Sequence, residues 1–143
     1  MDNEKSLIGR PKLYNTAKEM QEKIDQYFLS CFHPLFDKRG NPVRNPVTGE
    51  YILEQYRPFT MSGLANALDM SRQSLLNYSK DEDFFDTIER ARRKVEVYTE
   101  EKLFEKETCN GSKFSLSNNF GWAEKKEIDH HVEKLEDVLD DIL

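Results

Sequence analysis

In the first third of the chain, apolar residues stand at Leu13, Ala17, Met20, Ile24, Tyr27 or Phe28, and Cys31. Steps of three and four place them on one face of a helix. Thr16 followed by Glu19 has capping-box spacing, so the pattern predicts a helix that starts there and ends before Pro34. A second period runs through Phe84, Ile88, Ala91, Val95 and Tyr98 and predicts a long helix reaching to near Lys106. Its other faces carry Arg90, Arg93, Lys94, Glu96 and Glu100. A seam of this kind needs a partner, either the first helix folded back on it or a neighbouring subunit, and the pattern leaves both open. Within TCNGSK, Asn110-Gly111 reads as the end of this helix, and FSLSNNFGWAEKKE as a short helical turn closed at Gly121. Val132, Leu135, Leu139 and Ile142 then share one stripe of a short amphipathic tail helix with acids around it.

Two stretches depart from a single helical period. Residues 36–59, FDKRGNPVRNPVTGEYILEQYRPF, are turn-like at Arg39-Gly40-Asn41-Pro42 and at Pro46 to Gly49, and Tyr51-Ile52-Leu53 suits a short strand. An exposed β-hairpin or long loop is expected, and a connection of this length is either functional or flexible. In residues 60–79, TMSGLANALDMSRQSLLNYS, the apolar positions are too uneven for one helix. They fit two short helices at a steep angle, with Leu64, Ala65 and Leu68 facing inward from the first and Leu75 and Tyr78 from the second. Asp69 sits at the turn, Met70 plugs the turn into the core, and Ser71 is placed to cap the second helix. Asp69 stands where glycine is common, which works because Asp accepts the left-handed conformation better than most residues. The expected fold is mainly α: a helix-turn-helix plus a long helical hairpin, with a small β-hairpin insert. Residues 1–12 read as a flexible basic arm, 13–128 as the helical core and 129–143 as an acidic amphipathic tail.

The length of 143 residues suits one ordinary domain. Charged residues make up 34%, and no apolar run approaches the roughly 20 residues of a membrane span. The opening MDNEKSLIGRPK lacks the apolar region of a secretory signal, and Cys31 and Cys109 imply no disulfide framework, so a soluble chain in a reducing cytoplasm is expected. A net charge of −6 argues at first against nucleic acid, whose phosphates are bound mainly by Lys and Arg. The charge is uneven, however: residues 81–107 carry −4, residues 129–143 carry −5, and the remainder carries +3. The acidic tail is therefore the natural place for a protein partner.

The polar positions of the second short helix decide the functional reading, because a recognition helix presents its N-terminal residues to the major groove. These are Arg72, Gln73 and Ser74, with Asn77 one turn on and Lys80 just beyond. Arg can grip guanine, and Gln or Asn adenine, each pair being worth about 1–3 kcal/mol of discrimination. The plainer alternative is a packing device with an ordinary polar face. GRPK, Gly9 to Lys12, resembles the core of a minor-groove hook but is read as a flexible basic arm. Cys31-x-His33 and His130-His131 lack the ligand spacing of a zinc site, so neither a metal nor another cofactor is expected, and the cysteines read as small buried apolar groups. Arg90, Arg92, Arg93 and Lys94, flanked by Glu89 and Glu96, read as a solvated face or an intersubunit pairing surface, and Phe114, Phe120 and Trp122 as core anchors. No nucleophile with a nearby base, phosphate loop or carboxylate pair stands out, so no catalysis is assigned.

MSGLANALDMSRQSLLNY, a long helix, and then Phe114-x-Leu116-x-Asn118-Asn119-Phe120-Gly121-Trp122 follow one another in fixed order. In this the chain resembles the small terminase subunit, or DNA-packaging protein, of tailed bacteriophages that fill their heads by the headful mechanism. The likeness covers about Phe59 to Glu127. It implies a non-enzymatic, mainly helical protein of the host cytoplasm that assembles as a ring. Such a protein recognises the packaging start site on double-stranded viral DNA and recruits or stimulates the large terminase subunit, which carries the ATPase and nuclease. Carried over by position, Ser71 to Ser79 would contact DNA, and residues 131–143, with Val132, Leu135, Leu139 and Ile142, would engage the large subunit. The tail has no clear basic patch, which speaks against DNA contact through the C-terminus. Two other readings stand beside this one: a dimeric helix-turn-helix transcriptional regulator, which would bind half-sites about one DNA turn apart, and an assembly adaptor in which the motif only packs.

Overall fold

The computed structural model describes residues 13–125 and 138–142. Helix α1, Ala17–Ser30, starts where the Thr16 side chain accepts a hydrogen bond from the Glu19 backbone N–H, and it buries Met20, Ile24, Tyr27 and Phe28. In the returning bond of the capping box, the Asn15 N–H rather than the Thr16 N–H donates to the Glu19 carboxylate, at 3.4 Å. Leu13 was expected on the buried face, but it is half exposed and Tyr14 is buried instead. The chain ahead of Thr16 is not helical, so the three-to-four period does not reach back to Leu13. The Tyr14 hydroxyl donates to the Leu68 carbonyl at 2.9 Å, and the Leu13 and Tyr14 N–H groups donate to the Tyr78 hydroxyl at 2.8 and 3.2 Å.

Strand β1, Phe32–Pro34, pairs antiparallel with β2, Leu53–Gln55, in the register Phe32 with Gln55 and Pro34 with Leu53. Pairing thus begins four residues before the expected insert, directly after α1. Between the strands, bridges join Phe36 to Pro42 and Arg44 to Tyr51 around two turns. Gly40 and Gly49 take the positive φ that these turns require, 83° and 73°. The Tyr56 and Arg57 N–H groups donate to the Cys31 carbonyl, closing the insert at its root, and Phe59 then returns to the core against Phe28.

Helices α2, Met61–Ala67, and α3, Arg72–Tyr78, are joined by a short turn. Thr60 caps α2 and Ser71 caps α3, each through a side chain that accepts from the N–H three residues on. Asp69 lies in the left-handed region at φ 58°, as the turn requires. Leu64, Ala65, Leu68 and Leu75 are buried, and Met70 and Tyr78 pack against the same core. Gly63 cannot carry a side chain here, because an added Cβ would lie 2.6 Å from the Tyr27 hydroxyl and 2.8 Å from Thr60 Oγ1. Replacing Gly63 with Ala is therefore expected to cost about 1–3 kcal/mol, as overpacking does, although Ala favours helices. Chemical denaturation checks this: the midpoint should fall.

Helix α4, Glu82–Glu101, lays Phe84, Thr87, Ile88, Ala91, Val95 and Thr99 along its buried face. Its seam is filled by α1 of the same chain, since Met20, Ile24, Tyr27 and Phe28 belong to one core with Phe84, Ile88, Ala91 and Val95. The Tyr98 ring meets Phe59 at a tilt, with centroids 5.0 Å apart, and Lys94 lies over the Phe28 ring at 4.3 Å. A 3-10 turn, Lys102–Phe104, and an extended Glu105 end α4 earlier than expected. Helix α5, Cys109–Phe120, then runs straight through Asn110-Gly111. That pair sits in the exposed first turn, where an Asn and a Gly are cheap, and the break is made upstream, where Thr108 Oγ1 donates to the Lys102 carbonyl at 2.7 Å. Gly121 closes α5 at φ 71°, the expected left-handed cap. No described helix is long and apolar enough to cross a membrane.

Burial pushes the Tyr14 and Tyr27 hydroxyls above the ordinary phenol value of 10.0, with the Asp69 charge adding to the effect on Tyr14. Both therefore stay protonated donors at neutral pH. A raised folded-state value means that their contribution is complete below pH 10.0 and is lost as pH rises through the raised values. Stability measured against pH is expected to fall on the alkaline side at these groups, and less so in Tyr14→Phe.

Candidate nucleic-acid interface

The exposed edge of α3 carries Arg72, Gln73 and Asn77, with Lys80 in the turn beyond, and its first turn contains no acid. Gln73 Nε2 donates to Asn77 Oδ1 at 3.2 Å, so these two side chains lie along one line of the helix. Ser74 differs from its neighbours. It is half-buried, and both its N–H and its hydroxyl are tied to Ser71 Oγ at 3.1 Å, so it serves the helix cap. Behind the α3 edge runs an open groove of about 450 Å³ whose lining includes Arg72, Gln73, Glu89, Arg92, Asn118 and Asn119.

The last turn of α5 supplies one wall of this groove, and the sequence reading missed its part. Arg72 Nη2 donates to Asn119 Oδ1, Arg92 Nη2 donates to the Asn119 carbonyl at 3.0 Å, and the Arg92 guanidinium lies over the Phe120 ring at 5.3 Å. Arg92 is thus bound to α5 and is not part of a uniformly solvated basic face. Arg90, Arg93 and Lys94 are exposed, Arg90 reaching Gln21 at 3.5 Å and Lys94 lying over the Phe28 ring. Of the three expected core anchors, Phe120 packs against the core, Phe114 is 73% exposed and Trp122 is 39% exposed. Leu116 takes the buried place, and Phe114, two positions earlier on a helix, points away from it. Trp122 is fixed at the surface, its indole N–H donating to Glu96 at 3.0 Å. The signal that could have located this wall was the pair of amides Asn118-Asn119 beside aromatic residues, polar groups in a segment otherwise read as apolar anchoring.

The remaining candidates lie elsewhere. Leu139 and Ile142 belong to a short helical stretch, residues 138–142, and are exposed. Val132 and Leu135 of the same stripe lie outside the described residues, as do the GRPK stretch and His130-His131. Cys31 is fully buried and Cys109 half-buried, and among the described residues no three His, Cys, Asp or Glu side chains converge as metal ligands would.

A family model described as DNA-packaging protein gp3 matches residues 9–128. The chain belongs to the DNA-packaging protein gp3 family. No curated protein and no solved structure matches it. The gp3 match runs from ahead of α1 to past the end of α5, so the α3 edge and the α5 wall both lie within the family region, and the acidic tail lies beyond it. A role in DNA packaging follows from membership of the gp3 family.

Proposed function

We propose that this gp3-family protein initiates viral DNA packaging: it binds the packaging start site on double-stranded phage DNA through α3 and recruits or stimulates the large terminase subunit. It acts in the host cytoplasm and is not itself an enzyme. The observation that carries this reading is an exposed, acid-free first turn of α3, bearing Arg72 and Gln73, in a chain of a DNA-packaging family. In a chain of net charge −6, one such helix supplies few phosphate contacts. A ring of identical subunits overcomes this, because tethered copies raise overall affinity by about 10²–10⁴ through effective concentration.

Native mass spectrometry tests the assembly: a closed multimer well above a dimer is expected, and a dimer bound to a palindromic duplex would favour the transcriptional-regulator reading instead. For the tail, deletion of residues 129–143 is expected to leave assembly and DNA binding intact and to abolish stimulation of the large subunit's ATPase. Stimulation retained by the truncated chain would remove the tail from this role.

A further inference from the structure

Resting on the assignment of α3 to DNA, we propose that Asn119 is a positioning residue for Arg72, so that α5 sets how well α3 reads sequence. The side chain of Asn119 is fixed from several directions. Its Nδ2 donates to Ser115 Oγ at 3.2 Å, which turns its Oδ1 toward Arg72, and its carbonyl accepts from Arg92 at 3.0 Å. Gly121 ends α5 two residues later, and the Trp122 indole N–H donates to Glu96 of α4 at 3.0 Å, so the turn that carries Asn119 is tied to α4 on both sides of its cap.

Arg72 is otherwise an exposed side chain with large rotamer freedom, all of which is lost when it grips a base. One guanidinium nitrogen on Asn119 fixes the plane of the fork beforehand and leaves further donors for the paired acceptors of a guanine edge. Neighbouring Asn118 does not share this role, since its Nδ2 donates to the Phe114 carbonyl of its own helix at 2.8 Å. The arrangement also gives a physical reason for α3 and the α5 segment to occur together: the two touch across the groove through residues 47 positions apart.

The test is a double-substitution cycle on the full chain. The specific probe is a short duplex that the unaltered protein selects from a randomised library, and the non-specific probe is poly(dA-dT), which offers no guanine edge. Asn119→Ala is expected to weaken the selected duplex by about 2- to 10-fold per subunit, the effect of leaving one side chain unordered before binding, and to leave poly(dA-dT) affinity unchanged. In an Arg72→Ala background, the same substitution should have no further effect. Additive losses, or equal loss on both probes, would overturn the positioning role. If Arg72→Ala weakens the selected duplex and Asn119→Ala does not, this inference falls while the DNA assignment of α3 stands; if Arg72→Ala itself has no effect, both fall. Should Asn119→Ala fail to fold, Ser115→Ala frees the amide from its other side and is held to the same comparison.

Discussion

Replacing Arg72 with Ala is expected to lower affinity for the selected DNA by about 5- to 150-fold per subunit, the equivalent of one bidentate base contact worth 1–3 kcal/mol. In the ring proposed above the loss would compound, since every subunit would carry the same change. Arg72 is exposed and among the described residues bonds only to the half-buried Asn119 side chain at the rim of the groove, so the thermal midpoint should move little. Salt dependence separates this residue from its neighbour. A base contact leaves the slope of log affinity against log salt unchanged, whereas Lys80→Ala, if Lys80 meets a phosphate, lowers the slope by about 1 and weakens all sequences alike. Electrophoretic shift titrations at several salt concentrations measure both effects. If Arg72→Ala binds every duplex as well as the unaltered chain, α3 is a packing element only.

The second large effect is on stability. Phe84→Ala is expected to cost about 3–5 kcal/mol, which would consume much of the roughly 5–15 kcal/mol that holds a domain folded. Phe84 is 1% exposed, and its ring meets Tyr78 edge to face at 5.1 Å. Tyr78 in turn contacts Tyr14 and accepts the N–H bonds of Leu13 and Tyr14, so the cavity would loosen α3 and the lead into α1 together. The adjacent Phe85 is 50% exposed, and Phe85→Ala should cost less than about 1 kcal/mol. Urea denaturation of the two variants checks the contrast: equal midpoints would show that Phe84 is not the joint between α3 and α4.

Within α1, α2, α3 and α4, the inward positions were legible because burial on one side of a helix imposes a period of three to four residues. Met20, Ile24, Leu64, Leu68, Leu75, Ile88 and Val95 all reach the core as their spacing indicates. The caps at Thr16 and Ser71 were legible for a related reason: a short polar side chain there satisfies backbone N–H groups within its own first turn, with no help from distant residues. Phe114 and Trp122 were misread because aromatic content by itself does not say which side of a short helix meets a neighbour. The end of α4 was misplaced because Asn110-Gly111 is a turn signal only when nothing stronger precedes it, and here the chain had already turned.

By itself, then, the sequence determined the buried faces of α1 to α4, the caps at Thr16 and Ser71, the left-handed turn at Asp69 and the polar residues Arg72, Gln73 and Asn77 on the exposed edge of α3, since each depends on neighbours within a turn or two. Only the tertiary structure decided that α1 fills the α4 seam and that Asn119 meets Arg72 across the groove. Such pairings join residues far apart along the chain, and they are set by which surfaces the whole fold brings into contact.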